Sequence, residues 1–313
     1  RVADRIADKT GWGEAIVGAV ILGGSTSLPG IITSVSTAYQ GYAELAVSNA
    51  VGGIAAQTAF LAVADIVYRK ANLEHAAASI ANLLQGTLLV TLLAIPMVAY
   101  AGPDVSWLGV HPATVLLVSG YFFGIRLVAQ ARAEKMWMPK ETERTVLDEL
   151  EDEALDTRLS SLIGRFVLLA GLVAVAGYLI AESGVAIATQ TGLSESLVGT
   201  ILTAVATSIP ELVTTIAAVR CGALSLAVGG IIGGNCFDLL FIACSDIAYR
   251  DGSIYSAITE RQVFIMGLTI LMTGVLLLGL LKREKYGFAK IGFESLLILL
   301  FYVSGVGALF IMS

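Results

Sequence analysis

The sequence has few charged residues for its length. Of its 313 residues, 14% are charged and 56% are apolar, a balance that water-soluble globular domains rarely show. The mean hydropathy of +0.82 agrees with this. The formal net charge is −6, so no basic surface for nucleic acid is indicated. The composition therefore favours a membrane protein without a nucleic-acid partner.

Cysteine and histidine are also scarce. Cys221, Cys236 and Cys244 lie in or beside apolar segments without metal-ligand spacing, so we expect them to pack within helices. His75 and His111 lie near the ends of apolar segments, where we expect interfacial roles. No nucleophile motif, metal triad or phosphate loop is present. The sequence therefore predicts neither an enzyme nor a bound cofactor.

Long apolar segments cover most of the chain. Each is near the roughly 20 residues that a helix needs to cross about 30 Å of hydrocarbon, and none alternates as a barrel strand does. The sequence therefore predicts an all-α protein that spans a lipid bilayer. The nine predicted spans are 12–39, 43–68, 76–100, 106–130, 159–183, 193–219, 224–249, 260–281 and 288–312.

The first half of the chain recurs in the second half. A shift of 181 residues aligns 1–69 with 182–250 without a gap, and 23 of the 69 positions are identical. The matches include Thr26-Ser27 with Thr207-Ser208, Pro29 with Pro210, Gly52-Gly53 with Gly233-Gly234, and Asp65 with Asp246. We therefore predict two repeats, at 1–130 and 159–313, joined by an acidic loop at 131–158.

The number of spans predicts how the repeats are related. The second repeat has five spans and the first has four, so we expect the first helix of repeat one to be absent from this chain. Because five is an odd number, consecutive copies enter the membrane from opposite sides. Inverted repeats of this kind build alternating access routes in many secondary transporters.

Loop charges predict the orientation. If alternate loops share one side, 17 of the 19 lysines and arginines lie on or near it, and only Arg250 and Arg261 lie opposite. The positive-inside rule places the 17 in the cytoplasm. We therefore expect a multi-pass protein of the cell membrane, with the 131–158 loop cytoplasmic and Ser313 outside. That loop is predicted to form a surface amphipathic helix, with a regulatory ion site as the alternative.

Polar residues and proline interrupt two corresponding spans. The segments are Thr26-Ser27-Leu28-Pro29-Gly30 and Thr207-Ser208-Ile209-Pro210-Glu211. Proline breaks a helix, and the freed carbonyls and hydroxyls offer the oxygen ligands that hard cations prefer. The following spans carry the two glycine pairs, which allow unwinding or close helix approach. Discontinuous helices in both repeats predict a central ion site.

Two carboxylates lie deep in apolar spans. An unpaired buried carboxylate costs several kcal/mol unless it is protonated or bound to a cation. We therefore assign Glu211 and Asp238 as the metal ligands, with structural pairing as the alternative. Asp65 and Asp246 stand near span ends, four residues before an arginine, so we expect local salt bridges to Arg69 and Arg250.

Three segments resemble the paired alpha-repeat motifs of the sodium/calcium exchanger family, within the cation/Ca²⁺ antiporter superfamily. They are Gly24-Ser25-Thr26-Ser27-Leu28-Pro29, Ala206-Thr207-Ser208-Ile209-Pro210-Glu211 and Gly233-Gly234-Asn235-Cys236-Phe237-Asp238. The resemblance extends over essentially the whole chain. It implies ten helices and ion sites between the repeats. By position it implies ion-binding roles for Thr26, Ser27, Gln57, Thr207, Ser208, Glu211, Gly234 and Asp238.

The sequence departs from this family at the first repeat. Gly30 stands where the family usually has a glutamate, Gln57 replaces an asparagine or acid, and Gly53 replaces a serine. Two ionised carboxylates carry a charge of about −2, which balances one Ca²⁺ or two monovalent ions. We therefore expect fewer than three Na⁺ per Ca²⁺. We also expect Gly30→Glu to raise divalent affinity or change the coupling ratio, provided that the surrounding helices leave room for the side chain. Gln57 and carbonyls near Gly30 remain neutral ligands.

These observations predict a secondary antiporter that exchanges Na⁺ or H⁺ for Ca²⁺ or another cation. The alternative is a non-transporting ion-sensing or scaffold protein that derives from an exchanger.

Overall fold

The computed structural model describes residues 23–68, 71–77, 79–107, 109–133, 159–285 and 291–312, and these are almost entirely helical. The helices in chain order are α1 (Gly23–Thr26), α2 (Leu28–Tyr39), α3 (Ala43–Tyr68), α4 (Leu73–Ala76), α5 (Ile80–Ala101), α6 (Pro112–Ala133), α7 (Leu159–Thr191), α8 (Glu195–Leu197), α9 (Ala204–Thr207), α10 (Ile209–Cys221), α11 (Leu224–Ala248), α12 (Ile254–Ala257), α13 (Glu260–Lys282) and α14 (Phe293–Met312), with a π-helical stretch (Val198–Thr203) between α8 and α9.

The predicted membrane class is confirmed. Within the described ranges, seven helices are long and apolar enough to cross a membrane. An eighth crossing is a pair, Glu195–Thr207 and Ile209–Cys221, bent by 44°. The first predicted span, 12–39, starts outside the described residues. Most of the 131–158 loop, with its predicted surface helix, and Ser313 lie outside them too.

Local signals explain where the helices start and stop. Thr259 and Gln262 form a capping box at the start of α13, which satisfies two N–H groups that a helix leaves unpaired. Ser79 caps α5 by accepting a hydrogen bond from the Asn82 N–H. Gly222 ends α10 at φ 85°, a left-handed conformation that glycine adopts without a steric cost.

Helices α3 and α11 form the centre of the bundle. Inside the molecule, 78% of the apolar window of α3 and 67% of that of α11 are buried. The corresponding values are 17% for α7 and 22% for α14. A helix that is buried on all sides belongs to the core, so α7 and α14 lie at the periphery. The site residues on α3 and α11 are therefore shielded from the surroundings.

The internal repeat is visible in the order of the helices. Helices α1, α2, α3 and α4 each start 181 residues before α9, α10, α11 and α12. The same offset relates α6 to α14. The described helices therefore recur at the offset of the sequence repeat. The bounds of the two repeats and the inverted relation of their topologies stay predictions.

The glycine pair in α3 serves close packing. Helix α3 continues through Gly52 and Gly53 without unwinding. A Cβ atom at Gly52 would lie 2.6 Å from Cα of Thr200, in the π-helical stretch. On the other side of the contact, a Cβ at Gly199 would lie 2.6 Å from Cβ of Ser48. Of the two predicted uses of this pair, close helix approach is the one present.

The role predicted for Asp246 is wrong, and Asp65 makes contacts that the sequence did not predict. Oδ1 of Asp65 accepts a hydrogen bond from the Leu73 N–H (2.7 Å), and Oδ2 accepts one from the Gly292 N–H (3.0 Å). Asp65 thus joins a helix start in its own repeat to one in the other repeat. Its predicted partner, Arg69, lies outside the described residues.

Asp246 makes the equivalent contacts in the second repeat. It accepts from the Ile254 N–H at 3.0 Å and from the His111 N–H at 2.9 Å. The hydroxyl of Thr114 adds a third hydrogen bond at 2.7 Å. The predicted salt bridge to Arg250 does not form because α11 ends at Ala248, and a pairing four residues apart needs a helix through both positions.

Candidate cation site

Each repeat breaks its helix at a serine. Ser27 separates α1 from α2, with φ −81° and ψ −1°, and Ser208 separates α9 from α10, with φ −94° and ψ 1°. Pro29 and Pro210 follow in the first turn of the next helix. Since proline has no N–H, the carbonyls four residues earlier, at 25 and 206, lose their helical donor. The predicted discontinuous helices are therefore present in both repeats.

Asp238 lies at the centre of the site. It is 2% exposed, and each of its carboxylate oxygens accepts a hydrogen bond from the first repeat. The hydroxyl of Ser27 donates to Oδ1 at 2.6 Å, and Nε2 of Gln57 donates to Oδ2 at 2.7 Å. Both donors are neutral, so they hold the carboxylate without balancing its charge.

Glu211 lies on the other side of Ser27. Its Oε1 is 3.5 Å from the Ser27 hydroxyl, and the Thr26 side chain also hydrogen-bonds Glu211. A serine has one hydroxyl hydrogen to give, and the shorter contact is to Asp238. Within the described ranges, Oε2 of Glu211 is buried without a hydrogen-bond partner. Glu211 is therefore the less satisfied of the two carboxylates.

Gln57 leaves a second acceptor unsatisfied. Its Nε2 also contacts Oγ of Ser208, at 3.3 Å, and its Oε1 is buried with no partner among the residues described. Buried acceptors without donors cost free energy, and a cation is a natural partner for them. In the described part of the chain, no three acidic, histidine or cysteine side chains cluster as a metal site. Two carboxylates and neutral oxygens make up the donor set.

Thr207 and Gly234 play lesser parts. The Thr207 hydroxyl contacts Oδ1 of Asn49 at 3.5 Å and the Ala204 carbonyl at 3.2 Å. A Cβ at Gly234 would lie 3.7 Å from Oε1 of Gln57, so Gly234 supplies space beside that oxygen. The predicted residues that the hydrogen bonds bring together are Thr26, Ser27, Gln57, Ser208, Glu211 and Asp238.

The sequence analysis did not predict the buried hydrogen bonds that two asparagines make. Nδ2 of Asn49 donates to the Gly30 carbonyl at 3.2 Å and to Oγ of Ser34 at 2.9 Å. The Gly30 carbonyl thus already accepts one hydrogen bond, whereas the prediction that freed carbonyls near Gly30 are neutral ligands stays a prediction. Asn235 donates to Oγ1 of Thr58 at 3.1 Å. The signal for both was an amide side chain in the middle of an apolar span.

The fold matches solved ion exchangers. A structure of the H⁺/Ca²⁺ exchanger CAX aligns with a TM-score of 0.68 at 16% identity, covering 100% of this chain and 81% of that one. A structure of the sodium-calcium exchanger NCX_Mj aligns with a TM-score of 0.60 at 21% identity, covering 98% and 90%. At these identities the likeness concerns the fold.

Sequence comparison extends the match. The uncharacterized membrane protein MJ0091 of Methanocaldococcus jannaschii is 26% identical over 309 residues, which is 98% of this chain and 90% of the relative. The family model described as sodium/calcium exchanger protein matches residues 1–130 and 161–311. These two matched ranges cover most of both repeats. The chain therefore belongs to the sodium/calcium exchanger protein family.

Proposed function

We propose that this chain is a secondary cation/Ca²⁺ antiporter that exchanges Na⁺ or H⁺ for Ca²⁺ or another cation by alternating access. The observation that carries the proposal is the bridge from Ser27 to two buried carboxylates, 2.6 Å from Asp238 and 3.5 Å from Glu211. Membership of the exchanger family and the fold of the two solved exchangers support it. The transported cations are substrates, and no resident cofactor is needed.

The hydrogen bonds suggest how a cation loads. In the geometry described, Ser27 and Gln57 present hydrogens to Asp238. A cation needs oxygens in their place, so the serine hydroxyl rotates and the glutamine amide turns its Oε1 towards the ion. Asp238 then exchanges two hydrogen bonds for coordination. Binding a cation and keeping these hydrogen bonds are therefore competing states of one site.

Charge balance supplies the exchange rule. Two ionised carboxylates in apolar surroundings carry about −2, which one Ca²⁺, two Na⁺ or two protons neutralise. The empty charged site is costly to move through the membrane interior, whereas each loaded site is neutral. Conformational exchange is then fast only when the site is occupied. This links the movement of one cation to the return of the other.

Access from both sides rests on the two-repeat construction. Ser27 and Gln57 come from the first repeat, and Ser208, Glu211 and Asp238 come from the second. A relative movement of the repeats changes which side reaches the site while the ligands stay near one another. The broken helices permit this movement, because their inner ends are not tied by continuous helical hydrogen bonds.

The direct test is ion flux in vesicles that contain the purified protein. We expect Ca²⁺ uptake that needs an outward gradient of Na⁺ or H⁺, and Glu211→Gln vesicles as the inactive control. Separate Na⁺ and H⁺ gradients identify the coupling ion. Absence of gradient-driven flux of Ca²⁺, Mn²⁺, Na⁺ and K⁺ in a folded sample contradicts the proposal. Ca²⁺ binding without flux would favour the non-transporting sensor instead.

A further inference from the structure

Gly30 and Glu211 occupy equivalent positions of the two repeats, 181 residues apart. In the second repeat this position supplies one of the two central carboxylates. In the first repeat the ring of Phe241 lies against the glycine. A Cβ atom built at Gly30 would be 2.6 Å from Cε2 of Phe241 and 3.3 Å from Cζ. No side chain fits at position 30 unless Phe241 moves.

This contact lies close to the cation site. Gly30 follows Ser27 by three residues, and Phe241 follows Asp238 by three. One helical turn spans 3.6 residues, so the Gly30–Phe241 contact lies about one turn from the Ser27–Asp238 hydrogen bond. The Gly30–Phe241 contact is therefore a neighbour of the Ser27–Asp238 hydrogen bond along both helices.

Other aromatic rings hold Phe241 in place. Phe237 packs edge-on against Phe241 with centroids 6.2 Å apart, and Tyr121 packs edge-on against Phe237 at 6.0 Å. A Cβ at Gly24 would lie 3.5 Å from Cζ of Phe237, so small residues face two successive rings of this cluster. Edge-on packing is a favourable arrangement of aromatic rings.

Large and small residues are exchanged between the equivalent positions of the two repeats. Its equivalents of Gly24 and Gly30 are Val205 and Glu211, and the first-repeat equivalent of Phe237 is Ala56. Phe60 is the equivalent of Phe241 and is partly exposed, whereas Phe241 is 3% exposed. Phe241, which lies against Gly30, is thus more buried than its repeat equivalent Phe60. The repeat equivalent of Gly30 is the larger residue Glu211.

We propose that Phe241 is a specificity-determining residue whose ring occupies the first-repeat half of the cation site and limits the site to the Glu211–Asp238 pair. The inference rests on the proposed function in one respect, that the ligand of this site is a cation. The Phe241 ring fills the space that a third carboxylate, at position 30, would need. The number of positive charges bound per cycle is then set by an aromatic side chain together with a glycine.

A stability cycle tests the packing. Gly30→Ala adds only a Cβ, and we expect it to lower the thermal unfolding midpoint in detergent. Phe241→Leu replaces the ring with a smaller side chain. We expect the Gly30→Ala/Phe241→Leu double variant to be more stable than the sum of the two single effects predicts. Phe301→Leu, in the same helical bundle, is the matched control and should not rescue Gly30→Ala. Additive effects of Gly30→Ala and Phe241→Leu overturn the packing argument.

Calcium binding tests the assignment. We expect Gly30→Glu/Phe241→Ala to bind Ca²⁺ about tenfold more tightly than Phe241→Ala in calorimetry, because ligand charge tunes Ca²⁺ affinity. Equal affinities in these two folded variants overturn the inference. If the double variant is unfolded, Gly30→Asp/Phe241→Ala is measured by the same criterion. Binding calorimetry needs no flux, so a wild type that binds without transporting contradicts the proposed function and leaves this inference to its own result.

Discussion

Gln57 donates a hydrogen bond of 2.7 Å to Oδ2 of Asp238, and these two residues occupy equivalent positions of the two repeats. An amide and a carboxylate have nearly the same shape, but only the amide donates hydrogens. The pair therefore joins α3 to α11 across the centre, where two carboxylates would repel each other. An amide at one position and a carboxylate at the other therefore stabilise the empty site relative to two facing carboxylates.

Replacing Gln57 with Glu should make the stability of the protein depend more strongly on a bound cation. The variant puts a carboxylate within hydrogen-bond distance of Asp238, so without cation we expect a lower thermal unfolding midpoint than in the wild type. Ca²⁺ should restore stability and raise the midpoint more in the variant than in the wild type. Thermal unfolding with and without Ca²⁺ measures both effects. An equal Ca²⁺ shift in the two proteins contradicts the placement of Gln57 at the site.

Replacing Glu211 with Gln, or Asp238 with Asn, should severely reduce exchange. Each change keeps the size of the side chain and removes one of two central charges. Since even outer partners of metal ligands contribute about 10- to 100-fold, we expect at least about a tenfold loss of Ca²⁺ affinity. Flux and calorimetry on the same preparation measure it. Glu260→Gln, at an exposed position, is the control, and full flux in Glu211→Gln disproves the assignment.

Replacing Asp65 with Asn should cost stability without changing ion selectivity. An amide nitrogen cannot accept the hydrogen bond that a backbone N–H now donates, so one of the two contacts is lost. A hydrogen bond to a charged group contributes about 1.5–3 kcal/mol, and we expect a destabilisation of that order. Denaturation in detergent compares it with Asp251→Asn, which is exposed. A change in the order of transported ions would place Asp65 at the site instead.

Glu74 should make stability depend on pH. It lies in α4 between two spans, and burial raises its pKa well above the usual value, with the charges of Asp65 and Glu294 raising it further. A carboxyl with a raised folded pKa stabilises the fold below its unfolded pKa of 4.5, and this stability is lost as pH rises through the folded value.

The Glu74→Gln variant should lack this dependence. As the pH is raised from about 5 to about 8, we expect the thermal unfolding midpoint of the wild type to fall. The midpoint of the variant should fall less over the same pH range. Thermal unfolding at several pH values measures both proteins, and Glu260→Gln should follow the wild type. Parallel curves for wild type and Glu74→Gln would show that Glu74 does not titrate in this way.

Cys221 provides a test of the proposed orientation. It is exposed and is the last residue of α10, next to Arg220, which the loop charges place in the cytoplasm. We expect an impermeant maleimide to label Cys221 only after the cells are permeabilised. In a Cys221→Ala background, Asp251→Cys should be labelled in intact cells. The reverse pattern of labelling would invert the topology.

The sequence predicted the parts of the fold that depend on local pattern. Apolar length located the spans, and Pro29 and Pro210 located the helix breaks, because each signal lies within one segment. The resemblance to the exchanger family also implied ion-binding roles for Ser27, Gln57 and Asp238, which the hydrogen bonds bring together. Phe241 was not predicted, since its contact with Gly30 depends on how two distant helices pack.

The contacts of Asp65 and Asp246 were missed for the same reason. Each side chain accepts from a backbone N–H that lies more than 100 residues away, Gly292 for one and His111 for the other. An N–H group carries no residue-specific signal in a sequence. Only the helix end at Ala248, before Arg250, argued against the local salt bridge, and helix ends are the least certain feature of a sequence pattern.

The reciprocal contacts of Asp65 and Asp246 make the two repeats depend on each other. Each repeat supplies a carboxylate that holds a helix start of the other, through Gly292 and His111. Taken alone, each repeat would have a carboxylate without its distant donor and a helix start without its acceptor, and such unsatisfied buried groups cost free energy. The helix bundle is therefore completed only by contacts between the repeats.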